Sequence, residues 1–205
     1  MKQYLFTLAV LFASLKLAVG GDEKDFQPLF NGKDLTGWQL RHPDAPNSWT
    51  VEPGGILKNT VVHGQHGVDL LTTRKFRNFV VRYEYMTPDK SNSGFYLRGR
   101  QEIQILGDYK SGKKSKGGNG AIYAFKAPDQ FVTRPAGEWQ EVEATLIGDR
   151  ITVILNGVKI HDNVQCDQAT GGELDRNMDQ PGPIMLQGDH GTVSFRNLRL
   201  KELPE

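Results

Sequence analysis

Gly94-Phe-Tyr-Leu-Arg-Gly-Arg-Gln-Glu-Ile-Gln-Ile-Leu106 is the stretch whose reading decides the fold. Phe95, Leu97, Ile103 and Ile105 are apolar, whereas Tyr96, Arg98, Glu102 and Gln104 are hydrogen-bonding or charged. A period of two predicts a β-hairpin with one face on a core and the other on solvent or a ligand. A turn at Gly99-Arg100-Gln101 would set Arg98 opposite Glu102 and Tyr96 opposite Gln104. The outward face then offers an aromatic, a guanidinium, a carboxylate and an amide, which suit a polyhydroxylated ligand. A solvated face with a cross-strand ion pair accounts for the same pattern.

Strand signals continue on both sides. Phe79 to Met86 and Trp139 to Ile147 alternate in the same way. Asn156-Gly157 between two apolar runs is a two-residue hairpin signal. In Val193 to Leu203 the apolar phase shifts, which predicts a bulge near Arg196-Asn197. No window beyond about ten residues holds a helical apolar period once the N-terminal segment is set aside. With 23 glycines punctuating short strands, the expectation is an all-β antiparallel sandwich or jelly roll. Trp38, Trp49 and Trp139 each open a strand and are expected to anchor the core rather than stack on sugar. Gly107 to Gly120, with four lysines and no apolar anchor, is expected to be a mobile basic loop; Asp162 to Gly182 is a second long polar connection.

Residues 1–20 have the pattern of an export signal: Lys2, an apolar run from Tyr4 to Leu15, then Ala18-Val19-Gly20. The run is too short to span a bilayer. A single domain over residues 21–205 in the periplasm or medium is therefore expected. The formal charge is +1, and loss of Lys2 and Lys16 takes it to −1, so charge favours no nucleic-acid partner. Cys166 is the only cysteine, which excludes an internal disulfide, and its neighbours include no His or Lys to activate the thiol.

Seven motifs in order resemble one family: Pro28 to Trp38, Ser91-Asn-Ser-Gly94, Glu102 to Leu106, Gly120-Ala-Ile-Tyr123, Pro135 to Trp139, Ile151 to Gly157, and Gly182 to Asn197 with its Leu186-Gln-Gly-Asp-His-Gly191. The chain thus resembles the 3-keto-disaccharide hydrolase domain family. The resemblance implies a concanavalin- or laminin-G-like jelly roll that binds sugar on a concave sheet. It further implies cleavage of glycosides already oxidised at C3 by a separate sugar 3-dehydrogenase. Some family versions of the last motif read Gln-Asp-His-Gly; here Gly188 intervenes, which is expected to re-aim Asp189 or His190.

A ketone at C3 acidifies the C2 hydrogen, so a base can form an enolate that expels the C1 substituent, after which water adds. This requires a base, an electrophile for the enolate and an acid for the leaving oxygen. His190 is the base candidate, Glu102 the acid or alternative base, and Arg98 the electrophile. Asn92, Tyr96, Gln104, Asp108, Tyr123 and Gln187 are candidate substrate-binding groups. A divalent metal is an alternative electrophile, with Glu102, Asp108, Asp189 and His190 as ligand types, and His63-Gly-Gln-His66 is a weaker local pair. Two other function classes fit the same residues. One is a non-catalytic carbohydrate-binding module. The other is a direct two-carboxylate glycosidase using Glu102 with Asp108 or Asp189.

Overall fold

The computed structural model describes residues 23–62 and 65–204. The export-signal segment and His63 lie outside these. Thirteen strands follow in order: β1 (Gln27–Pro28), β2 (Trp38–Leu40), β3 (Trp49–Glu52), β4 (Ile56–Asn59), β5 (Leu70–Thr72), β6 (Phe79–Met86), β7 (Asn92–Leu97), β8 (Gln101–Leu106), β9 (Gln140–Ile147), β10 (Arg150–Leu155), β11 (Val158–Gln165), β12 (Met185–Leu186) and β13 (Val193–Glu202). They form two antiparallel sheets. The larger has the order β11-β10-β9-β6-β13-β4-β3, with β1 added on β13; the smaller runs β2-β5-β12-β7-β8. This is the all-β sandwich that the alternation requires.

Alternate residues of facing strands make the core. β6 contributes Phe79, Val81, Tyr83 and Tyr85, and the β7–β8 hairpin contributes Phe95, Leu97, Ile103 and Ile105. Tyr83 and Phe95 stack across the two sheets, centroids 3.9 Å apart and planes 5° from parallel. Removing such a buried ring costs about 3–5 kcal/mol, so this contact strongly fixes which hairpin face is inward. The Asn156-Gly157 turn has φ of 53° and 81°, as a two-residue hairpin loop demands. The register of β13 on β6 shifts between Arg196 and Arg199, with Asn197 at φ 54°, which is the anticipated bulge. Trp38 and Trp49 lie in the core, but Trp139 does not. It is half-buried, with the Arg196 guanidinium 4.0 Å over its ring. Cys166 is fully buried, and burial pushes its thiol pKa up.

The basic loop makes several polar contacts with its surroundings. Lys90 and Gly107 exchange backbone bonds with each other's surroundings (Lys90 N–H to Gly107 O, Gly107 N–H to Ser91 O, both 2.8 Å), and Gly120 N–H donates to Gln104 O at 2.9 Å. Lys110 pairs with Asp89 at 2.7 Å, and Lys114 Nζ donates to Asp129 O at 2.6 Å. Backbone and lysine groups make these contacts, which polar composition alone does not reveal.

Candidate active site

The hairpin register differs from the sequence expectation by two residues. Tyr96 faces Glu102 and Gly94 faces Gln104, while Leu97 pairs with Gln101. A shift of two preserves which side chains face the core, so Tyr96, Glu102 and Gln104 still turn outward. It does remove Arg98. The turn is Arg98-Gly99-Arg100, with Arg98 and Gly99 at φ 52° and 68°, so strand alternation ends one residue before Arg98. Arg98 Nη2 instead donates to Gly148 O, 2.6 Å away in the β9–β10 turn of the other sheet. Burial, with Arg100 and Arg77 nearby, lowers its pKa to about 10. Arg98 is a buried tie between the sheets.

Glu102 is the centre of the outward face. Its side chain leans across β7 into space that only glycine leaves: a Cβ on Gly94 would lie 2.3 Å from Glu102 Oε1. On one side its backbone N–H donates to Thr170 Oγ1 at 2.9 Å, and its carbonyl accepts Tyr123 N–H at 3.0 Å. Tyr123 therefore joins the row formed by Leu71, Met185, Tyr96 and Glu102. The Tyr96 hydroxyl lies 3.0 Å from Glu102 Oε2 and 3.1 Å from Gly171 O. That hydroxyl has one proton to donate and faces two acceptors. It can donate to the ionised carboxylate, leaving Gly171 O without that proton, and both contacts are hydrogen bonds at once when Glu102 is protonated and donates to Tyr96. Burial agrees with this: Glu102 is 3% exposed, and its pKa rises to about 7. Desolvation is the main cause. The Tyr96 contact and His190 oppose the rise, and Asp189 and Asp69 add to it.

The turn above Tyr96 also requires glycine. Gly171 and Gly172 have φ of 110° and 66°, and a Cβ on Gly172 would lie 2.5 Å from the Tyr96 hydroxyl. Arg100 holds the same connection from below, donating to Asp175 Oδ1 and to Gln180 O, both at 2.6 Å.

His190 reaches the site from a clamped turn. Buried Asn59 donates through Nδ2 to Gly188 O at 2.8 Å and to Gly191 O at 2.9 Å, spanning the turn's two ends. Gly188 N–H donates to Asp69 Oδ1 at 3.0 Å. The inserted Gly188 sits where a Cβ would lie 2.1 Å from Val68 O, so no other residue fits without moving backbone. His190 is half-exposed, and its Nδ1 makes a short contact with Asp189 Oδ1, which leaves Nε2 for proton transfer. Its electrostatic influence reaches Glu102.

The other candidates divide. Gln187 lies beside Gly94, donating its backbone N–H to Gly94 O at 2.9 Å, and Asn92 stands two residues from Gly94 on the same pleat face. Gln187 Oε1 and Asn92 Oδ1 are buried acceptors with no partner among the described residues. Tyr123 packs against Gly171, with its ring 3.5 Å from a Cβ placed there. Gln104 is instead committed to protein: Nε2 donates to Gly117 O at 3.3 Å, and Oε1 accepts Ile105 N–H at 3.0 Å. Asp108 Oδ2 accepts Asn119 N–H at 3.0 Å at the base of the basic loop, and burial raises its pKa. Among the described residues no three His, Cys, Asp or Glu gather as a metal-ligand set, so Glu102, Asp108, Asp189 and His190 do not come together as one such set. His161 is buried, contacts Gly120 O through Nε2 at 2.9 Å, and is held down to about pKa 4 chiefly by desolvation.

Sequence reading missed Arg41, Asn59, Asp69, Arg100 and Thr170. The available signal was weak: Asp69 is one acid inside the apolar run Val68 to Leu71, and Arg41 directly follows β2. Two hollows of about 250 and 220 Å³ lie elsewhere, sharing Leu29 and Arg74 along the N-terminal edge. Neither is lined by Glu102, His190 or any of the other candidate site residues.

The two-sheet β-sandwich thus has a buried carboxyl at Glu102 on the five-stranded sheet and an Asp189–His190 contact in the turn after β12. Residues 25–201 match the 3-keto-alpha-glucoside-1,2-lyase-like domain, and the chain belongs to that family. A 3-keto-disaccharide hydrolase of Bacteroides thetaiotaomicron is 26% identical over an alignment of 160 residues that covers 63% of this chain and 54% of that protein. The chain thus spans about half the length of that curated relative. Two candidate glycosyl hydrolases of Parabacteroides distasonis have similar structures. One has a TM-score of 0.71 at 28% identity, covering 90% of this chain and 89% of the other. The second has a TM-score of 0.72 at 21% identity, covering 89% and 98%.

Proposed function

We propose that this protein is an exported enzyme that cleaves 3-keto glycosides, with His190 as base and Glu102 as acid. The observation that carries the reading is the Tyr96 hydroxyl between two acceptors, a geometry complete only with a proton on Glu102. A carboxyl that holds its proton near neutrality suits the acid role. In the proposed reaction His190 Nε2 takes the C2 proton, and electrons pass through the enolate to break the C1–oxygen bond. Glu102 gives its proton to the departing oxygen. Water then adds: ionised Glu102 takes one of its protons as the hydroxyl bonds to C1, and His190 Nε2 returns its proton to C2, which restores both groups.

Asn92 and Gln187 would bind ring hydroxyls through their unpartnered acceptors, and Tyr123 would flank the ring. Family membership and the named relative support the 3-keto sugar class. The N-terminal segment supports export. Such a substrate would come from an enzyme that oxidises a glycoside at C3.

The test compares a chromogenic glucoside with its 3-keto derivative, with and without chelator, following aglycone release. Release from the 3-keto form alone is expected. Release from the parent glucoside would favour a two-carboxylate glycosidase, and binding without cleavage of either would favour a binding module.

A further inference from the structure

One guanidinium connects the two turns that flank the site. Arg41 follows β2, and its backbone N–H donates to Asp69 O at 2.8 Å, adding one rung to the β2–β5 pairing. Its side chain then divides. Nη1 donates to Asp69 Oδ2 at 3.0 Å and to Gly172 O at 2.9 Å, and Nη2 donates to Glu173 O at 3.0 Å. Asp69 is 7% exposed, and its other oxygen receives Gly188 N–H. An unbroken path of hydrogen bonds therefore runs from the glycine turn over Tyr96, through Arg41 and Asp69, to the turn that carries Asp189 and His190.

Two features argue against an incidental surface pair. Both carboxylate oxygens of Asp69 are used, one for each turn, so it links the turns rather than merely neutralising Arg41. Both turns also contain glycines whose Cβ would collide with neighbours, at Gly172 and Gly188, so each is seated tightly where the pair holds it. A planar guanidinium can direct separate N–H groups at a carboxylate and two carbonyls; an ammonium has one nitrogen and cannot span them.

We propose that Arg41 and Asp69 are a positioning pair that sets the span between the Gly171–Glu173 turn and the Gly188–Gly191 turn, and with it the gap in which a sugar ring meets Glu102 and His190. The link between the turns stands on the contacts alone; its catalytic consequence rests on the function proposed above. Neither residue touches the reacting atoms. They act through Tyr96 on one side and His190 on the other.

The experiment is amide exchange on the mature protein, comparing wild type with Arg41→Lys, Arg41→Gln and Asp69→Asn. Arg41→Gln should speed exchange at residues 188–191, which Arg41 does not touch. Asp69→Asn should speed it at residues 171–174, which Asp69 does not touch. Arg41→Lys should resemble Arg41→Gln, because restoring charge does not restore the fork. Protection in β6 and β9 should stay at the wild-type level, which separates a change of span from general unfolding. Asn at position 69 keeps the shape and an acceptor, so that variant guards against loss of fold. In parallel, calorimetry with the parent glucoside should show affinity about tenfold weaker in Arg41→Lys, and KM for the 3-keto glycoside should rise by a similar factor with a smaller change in kcat. If each substitution loosens only its own turn, or if Arg41→Lys keeps wild-type exchange and sugar affinity, the proposal is wrong. A wild type that binds sugar and cleaves neither form would defeat the enzyme reading alone, since exchange and affinity would still judge the pair.

Discussion

On the outer face of the eight-stranded sheet, every strand glutamate near the centre has a cation. Glu84 accepts from Arg196 at 2.7 Å, Glu143 from Arg82 at 2.7 Å, and Arg82 reaches on to Glu23 at 2.6 Å. On the outward face of the five-stranded sheet, Glu102 is buried beside Tyr96, and the Arg41–Asp69 ion pair serves other partners. The same alternation of acid and apolar residues underlies both faces. A partner makes a carboxylate structural, and a desolvated one without a cation keeps its proton for chemistry.

This contrast gives an order of expected effects. The largest is catalytic. His190→Ala should reduce turnover of a 3-keto glycoside at least about a hundredfold, the usual scale for one general base, while sugar binding measured by calorimetry persists. Glu102→Gln should also impair turnover, whereas Glu84→Gln and Glu143→Gln should leave it unchanged. Wild-type rates in both site variants would erase the distinction between the faces.

The next effect is on stability. The folded pKa of Glu102 is raised above its ordinary value of 4.5 to about 7. Between those values the native state binds more protons than the unfolded chain, so wild-type stability should fall as pH rises through that window and level off above about 7. Glu102→Gln should remove that dependence and be more stable at pH 8 by on the order of 3 kcal/mol, as urea titrations at pH 4.5 and 8 would show. An unchanged pH profile would mean that the carboxyl is not desolvated as described.

A third expectation refines the role of the hydroxyl. Activity that needs protonated Glu102 should decline above about pH 7. Tyr96→Phe removes the side-chain donor that the Glu102 carboxylate has among the described residues, leaving desolvation less opposed. The alkaline limb of the pH–rate profile should therefore move to higher pH. The smallest effect belongs to the outer face: Glu84→Gln should cost no more than about 1 kcal/mol in thermal or urea unfolding, and the cost should shrink with added salt.

The local alternation in Gly94–Leu106 was enough to determine the hairpin and to assign Phe95, Leu97, Ile103 and Ile105 inward and Tyr96 and Glu102 outward, because side-chain direction in a strand repeats every two residues. The same short-range rules located the Asn156-Gly157 turn and the bulge near Arg196. The sequence motifs also carried the family. Tertiary structure decided the rest. It moved the turn to Arg98-Gly99-Arg100, which sent Arg98 to the opposite sheet, because turn register answers to what packs around the turn and Gly148 O was available there. It bound Gln104 and Asp108 into the base of the basic loop. It also brought Asn59 and Asp69 to Gly188, and Arg41 to Gly172, across 119 to 131 positions of chain. Periodicity has no range at that separation; only the closure of one sheet against its loops chooses which polar group meets which.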